Sequence, residues 1–275
     1  MAHRYSLAQL TVLGWAPPEM IYNAHTLGYD CVGIRSITMG VKGENDYDIY
    51  RNREMFDLTR RAMDETGVVI NDIELAKIAD GVDVRNYEGP FEAAAELGVK
   101  NVISSIWTDK KDFYLDQFAT LCDLAKQYGI TVNLEFVTWA SIRTLKETRE
   151  VLDTVKRDNA GIMVDTLHLY RSRVDPAELD DCPKELFHMA HICDGPAEIP
   201  DWDDKESLIH TGRDERYYVG EGAIDIADIV RRLPDDVVLS IELPHLKREG
   251  SWGSMEHAKR CLSTAKDYMV ENGIL

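Results

Sequence analysis

Three carboxylates and one imidazole stand where short apolar runs end. Glu135 follows Thr131-Val132-Asn133-Leu134, Asp165 follows Gly161-Ile162-Met163-Val164, His191 closes on Phe187–Ala190, and Glu242 follows Val237–Ile241. A solvated face should not begin at such points, and an isolated carboxylate there is costly to bury, so pairing or coordination is expected. The set is mostly oxygen. It suits one divalent ion, Mn²⁺ first and Mg²⁺, Co²⁺ or Zn²⁺ as alternatives, better than a structural zinc. A divalent ion facing two glutamates is suited to proton transfer beside a carbonyl, because it stabilises the charge of an enediolate. One carboxylate removes the proton and the other returns it. Glu135 and Glu242 are therefore expected both as ligands and as the catalytic acid–base pair. Return of the proton to the opposite face is epimerisation, return to the adjacent carbon is isomerisation, and loss of a β-hydroxyl is dehydration.

Positioning four such residues requires elements that converge. Strands are expected at 4–11, 29–35, 68–75, 101–107, 131–136, 161–166, 187–193 and 237–243, from their length and β-branched content. Helical patterns lie between them. Asn52–Glu65 carries Met55, Phe56, Leu58 and Met63 and stops at Gly67, and Phe113–Tyr128 ends at Gly129. Pro17, Pro90 and Pro176 sit where first helical turns would begin. A helix–Gly–strand phrase recurs at Gly28, Gly67, Gly98 and Gly129, where glycine supplies a left-handed cap. Eight strands alternating with helices predict a single-domain (β/α)8 barrel spanning 1–275, whose chemistry sits at the carboxyl ends of its strands. The rival doubly wound sheet would favour a Gly-rich phosphate turn after the first strand, and Leu10–Trp15 contains none. The one irregular stretch, 194–222, reads as a long functional loop.

Composition narrows the partners. The chain has 275 residues, 49 acidic against 31 basic, a formal charge of −18, and this field opposes a nucleic-acid backbone. No apolar run is long enough for a membrane span. The start, Met1-Ala2-His3-Arg4-Tyr5, lacks the plan of a signal peptide, so cytoplasm is the expected compartment. Five scattered cysteines without a CxxC read as reduced, buried thiols.

The pattern resembles the xylose isomerase-like TIM barrels of the sugar phosphate isomerase/epimerase group, related to the AP endonuclease family 2. The resemblance rests on Asn133-Leu134-Glu135-Phe136, Val164-Asp165-Thr166-Leu167-His168, His191-Ile192-Cys193-Asp194-Gly195, Gly220-Glu221-Gly222-Ala223-Ile224-Asp225 and Ile241-Glu242-Leu243. It implies that Glu135, Asp165, His191 and Glu242 are the ligands of a single metal ion. It also implies that His168 is a catalytic contact to substrate or to a metal-bound water. The group's three-zinc nucleases use additional histidines from strands three and four. Here those regions read Asn71-Asp72-Ile73-Glu74 and Ser104-Ser105-Ile106-Trp107, which argues against a nuclease.

Substrate contacts are expected from Trp15, Trp107 and Trp139 at the rim, whose flat faces suit the C–H faces of a sugar or cyclitol. Arg35 and Glu74 end strands two and three and either point at substrate or balance other charges. Arg213 and Arg216 precede the Gly-Glu-Gly turn and compete for a bidentate substrate contact, with Arg216 favoured. The leading expectation is a metal-dependent isomerase or epimerase of a small sugar or keto-sugar. The alternatives are a lyase on the same site, acting on a keto-cyclitol, dehydroshikimate-type or 3-keto-glycoside substrate, and a non-catalytic sugar-binding barrel. The expected partners are a small carbohydrate or polyol-derived substrate and a second copy of the chain in a homo-oligomer.

Overall fold

In the computed structural model, which describes residues 3–41 and 43–274, eight parallel strands pair in sequence order and close on themselves. Of the expected start Met1–Tyr5, the first two residues lie outside the described ones. The strands and helices run β1 (Tyr5–Ala8), α1 (Pro17–Leu27), β2 (Cys31–Ile34), α2 (Arg53–Thr66), β3 (Val69–Ile78) and α3 (Glu88–Glu96). They continue with β4 (Asn101–Ile106), α4 (Lys111–Gln127), β5 (Thr131–Glu135), α5 (Leu145–Val155), β6 (Ala160–Asp165) and α6 (Thr166–Arg171). The last third holds β7 (Met189–Ile192), α7 (Lys205–Asp214), α8 (Ile226–Arg231), β8 (Val238–Ile241), α9 (Leu246–Trp252) and α10 (Ser254–Glu271). The seam is closed by β1 against β8, with Tyr5 opposite Leu239 and Leu7 opposite Ile241.

Local chemistry sets the boundaries. Pro17 opens α1, where a missing N–H costs nothing, and Gly28 and Gly67 end α1 and α2 in the left-handed region that an L side chain resists. Thr144 accepts from the Glu147 backbone N–H while the Glu147 carboxylate returns a bond to Thr144, a reciprocal cap on α5. All eight expected strands are present, most of them shorter at one or both ends. The largest difference is at the start, where the chain leaves β1 after Ala8 and winds into a 3-10 turn over Gln9–Val12. A second difference concerns 194–222. It is not irregular throughout, because α7 occupies its middle. The pattern there is too polar to announce a helix, with only Leu208 and Gly212 buried among its ten residues.

Two apolar layers hold the barrel. The larger lies between strands and helices. A smaller cluster joins Cys31, Leu75, Ile103, Met163, Met189 and Val238. Met163 and Met189 stand two residues before Asp165 and His191, and Val238 four before Glu242. Alternation along a strand therefore puts them on the same inward face, the two methionines one layer and Val238 two layers beneath those groups. The interior is a floor, and the polar side chains stand on it. Among the described residues no helix is long and apolar enough to cross a membrane. The five cysteines are all buried and unpaired.

One close approach inside the barrel is testable. Gly33 on β2 faces Asp72 on β3, and a Cβ at Gly33 would come within 2.6 Å of Asp72 Oδ2. Both are enclosed, with Asp72 only 1% exposed, so the added methyl has no room without moving the carboxyl. Gly33→Ala should lower stability by about 1–3 kcal/mol, the usual cost of overpacking, measured as a lower urea midpoint at unchanged slope.

Candidate metal centre

Glu135, Asp165, His191 and Glu242 each offer one ligand atom, and these atoms lie within 4.8 Å of one another. Glu135 and Asp165 are the last residues of β5 and β6, and Glu242 follows β8 directly. His191 is held opposite Asp165 on one side and Ser240 on the other by the strand register. His191 Nδ1 stands 3.4 Å from Glu242 Oε2, 3.7 Å from Glu135 Oε1 and 3.9 Å from Asp165 Oδ2. Metal bonds of about 2.0–2.2 Å place neighbouring donors roughly 3–4 Å apart, so the spacing fits one ion. Both ring nitrogens of His191 are buried without a hydrogen-bond partner, an expensive state that coordination through Nδ1 would relieve. The donor set and its spacing thus fit a divalent metal, and these four residues could hold it.

Arg216 is built into this cluster. It is 2% exposed, and its Nη1 donates to Asp165 Oδ2 at 2.6 Å while Nη2 lies 2.8 Å from Glu242 Oε2. Its remaining donors meet the Glu242 carbonyl at 3.1 Å and the Gly212 carbonyl at 2.8 Å. The chain delivers it there through Asp194. Backbone bonds pair Asp194 with Tyr217, and the Asp194 carboxylate accepts from the N–H groups of Gly195, Gly220, Gly222 and Ile224. Gly222 is obligatory in that turn, since a Cβ would meet the Gly195 carbonyl at 2.1 Å. The Gly-Glu-Gly motif is thus a clasp that seats Arg216, and its Glu221 points away to Arg248 at 2.7 Å.

Asp165 serves two sides. Its Oδ1 caps α6 by accepting from the N–H groups of Leu167 and His168, leaving Oδ2 for the cluster. Because α6 starts at Thr166, the turn carries His168 back over the pocket. There its Nδ1 lies 3.2 Å from Thr138 Oγ1, and Trp139 packs edge-on at 4.8 Å. His168 is not among the four clustered groups.

Burial and charge separate the two glutamates. Burial raises the Glu135 carboxyl to about 7, opposed mainly by His191. No arginine lies within ion-pair distance of it among the described residues. Burial also works against Glu242, but His191 and Arg216 together hold it well below the usual carboxylate range. Asp165 is likewise lowered, Arg216 overcoming the effect of burial. Burial favours neutral His191, yet Glu242 and Glu135 raise it well above an ordinary histidine. Burial lowers His168 to about 4, so it is a neutral imidazole at pH 7.

The pocket above the cluster is lined by Arg35, Glu74, Trp107, Trp139, His168 and Arg213, with Leu10, Met39, Ser105 and Val137 between them. Arg35 Nε is bonded to Glu74 at 3.1 Å and its Nη1 reaches Glu44 at 3.5 Å, so this pair is already mutually satisfied. Trp107 anchors its indole N–H on Ser105 and carries Lys77 over its ring. Trp15 is a correction. It is 7% exposed, belongs to the large core and does not line the pocket, because the 3-10 turn after β1 folds it inward. Its carbonyl accepts from Gln9, whose own side-chain oxygen accepts from the Arg35 N–H. Arg216 also reaches the pocket lining, its guanidinium held by the carboxylates of Asp165 and Glu242. Glu44 escaped sequence reasoning altogether. It sits in a polar stretch without periodicity, and only the folded loop shows it accepting from Met39, Gly40 and Val41 while facing Arg35.

A family model described as xylose isomerase-like TIM barrel matches residues 21–262. The chain belongs to that family. Among its curated relatives, the inosose isomerase of Bacillus subtilis is 26% identical over 173 residues, which cover 58% of this chain and 59% of that protein. The 3-dehydroshikimate dehydratase of Pseudomonas aeruginosa is 22% identical over 153 residues, 54% of this chain and 23% of that one. The chain therefore spans about three fifths of the length of the first curated relatives it matches. A crystal structure of the IOLI protein with a bound zinc atom superposes with a TM-score of 0.81 at 19% identity, covering 98% and 99% of the two chains. That likeness is one of fold. In this xylose isomerase-like barrel the four clustered residues stand at or beside the carboxyl ends of β5, β6, β7 and β8.

Two outcomes are expected. A metal must displace protons from His191 and Glu135, whose pKa values are raised, so Mn²⁺ affinity should fall as pH drops through 7 and recover above it, measured by calorimetric titration from pH 5.5 to 8.5. His191→Ala should lose bound metal, whereas His168→Ala should keep near-normal metal content by elemental analysis and lose most of its turnover. Equal metal loss in both would move His168 into the ligand set.

Proposed function

We propose that this chain is a divalent-metal-dependent isomerase or epimerase of a small sugar or keto-polyol, acting by proton transfer beside a carbonyl. The observation that carries the reading is the unequal state of two carboxylates facing one site. Glu242 is held ionised by His191 and Arg216, while Glu135 lacks an arginine and is raised to about 7. Groups whose environments drive their pKa values apart mark acid and base roles, and a value near 7 is the efficient one for taking up and returning a proton at neutral pH. Glu135, Asp165, His191 and Glu242 would hold the metal, Mn²⁺ in our reading, which supplies Lewis acidity toward a carbonyl and its neighbouring hydroxyl.

The chain's own residues supply the rest. Glu135 accepts the proton from the C–H beside the carbonyl and then returns it to the adjacent carbon, while Glu242, held ionised by His191 and Arg216, stays a carboxylate throughout. Neutral His168, oriented by Thr138 and Trp139, donates or accepts a hydrogen bond at a substrate hydroxyl. Trp107 and Trp139 offer flat faces to the substrate's C–H surface, and the Arg35–Glu74 pair offers both a donor and an acceptor on the opposite wall. The inosose isomerase relatives support a cyclic hydroxyketone as substrate class. A second reading, elimination of a β-hydroxyl from the same enolate, is favoured by the dehydratase relative. The acidic charge fits a cytoplasmic enzyme of small molecules working apart from nucleic acid, as a homo-oligomer in our reading.

Incubation of the Mn²⁺-loaded protein with cyclic hydroxyketones in D₂O tests both readings. Solvent deuterium in a recovered stereoisomer or positional isomer supports the first, and an enone absorbance supports the second. Glu135→Gln should lower the rate by about 10³-fold or more, since ligand and proton-transfer roles are lost together, and Glu242→Gln should do so through loss of a ligand charge. Absence of both deuterium and enone across the panel would overturn the proposal.

A further inference from the structure

Three arginines surround the pocket, and two are already neutralised. Arg35 is paired with Glu74 and Glu44, and Arg216 with Asp165 and Glu242. Arg213 lines the same pocket between Gly212 and Arg216, yet among the described residues it makes no ion pair and no side-chain hydrogen bond. It is half-buried, and burial together with the charge of Arg35 presses its pKa down. Asp214, Glu242 and Glu44 act on it only at longer range, and its guanidinium is left without a bonded acceptor.

The placement is built, not incidental. Arg213 lies in the last turn of α7, and that turn is fastened at two points. Arg216 Nε donates to the Gly212 carbonyl at 2.8 Å, and Gly212 packs so closely on Trp139 that a Cβ would meet the indole at 2.3 Å. The helix end is thereby pressed against the pocket wall, and Arg213 lines the same pocket as Glu135 and Glu242.

We infer that Arg213 is a specificity-determining residue and that the substrate is an acid, a hydroxyketone bearing a carboxylate that Arg213 receives. This rests on the proton-transfer reading above and names its substrate class. A carboxylate matches the planar fork of a guanidinium, whereas a phosphate dianion calls for several donors or a helix N-terminus. Arg213 stands instead beside a helix C-terminus, whose partial negative charge disfavours a dianion.

The test uses 3-dehydroshikimate and its methyl ester, which differ by one negative charge and one methyl group, with binding to the Mn²⁺-loaded full chain measured by calorimetry. The native protein should bind the acid at least tenfold more tightly than the ester. In Arg213→Met that ratio should fall to about one, and Arg213→Lys, which keeps the charge and loses the fork, should fall between. Inorganic phosphate should not compete with the acid at millimolar concentration. No preference in the native protein, a preference that survives in Arg213→Met, or competition by phosphate would overturn the inference. Deuterium exchange of both compounds, followed in parallel, separates the two claims. A charge preference without any exchange leaves Arg213 as the anion contact and overturns the proton-transfer reading alone.

Discussion

Three carboxylates brought within a few ångströms at the mouth of a barrel repel one another, and the arrangement of the upper half of the molecule follows from that constraint. Two unit charges 4 Å apart interact by about 4 kcal/mol at the effective dielectric of a protein site. Left alone, Glu135, Asp165 and Glu242 would protonate or push the strand ends apart. Arg216 answers two of the three by lying across Asp165 and Glu242, and His191 stands within 4 Å of all three. The compensation is uneven, and Glu135 is the member left without an arginine. That asymmetry leaves the two glutamates in different charge states, which is what the proposed proton transfer uses.

The need to hold Arg216 explains features that otherwise look unrelated. Asp194 gathers four backbone N–H groups around the Gly220–Gly222 turn. The Asp194–Tyr217 pairing sets the residue before Tyr217 against β7, and the Gly212 carbonyl takes the last guanidinium donor. Helix α7 is then fixed at its C-terminal end by contacts to the site itself. The loop between β7 and β8 belongs to the candidate site because its Arg216 neutralises Asp165 and Glu242, and the same fastening brings Arg213 to the pocket.

Asp165 shows how one residue joins backbone and site. Capping α6 with one oxygen fixes the other toward Arg216 and His191, and the early start of α6 turns His168 over the pocket. The spacing of Asp165 and His168 thus follows from a strand that becomes a helix at once, since three further residues of strand would have sent His168 outward.

The architecture and the four clustered residues were legible in the chain itself. Apolar runs of strand length, glycine-capped helices and acids at run ends are local patterns, and they are set by burial and backbone sterics that act over a few residues. The segment 194–222 reads as a loop throughout, and α7 within it was not legible, because a polar helix held mainly at one end leaves no apolar stripe. Trp15 was assigned to the rim because the early end of β1 at Ala8 has no local signal. Glu44 was invisible for the same reason. Which arginine is saturated and which is free was decided by the tertiary structure alone. Arg213 and Arg216 are three residues apart in one polar stretch, and only the Asp194 clasp, formed by groups 20 to 30 residues distant, buries one between Asp165 and Glu242 and leaves the other facing the pocket. Sequence lists the charges, and long-range packing decides which of them meet.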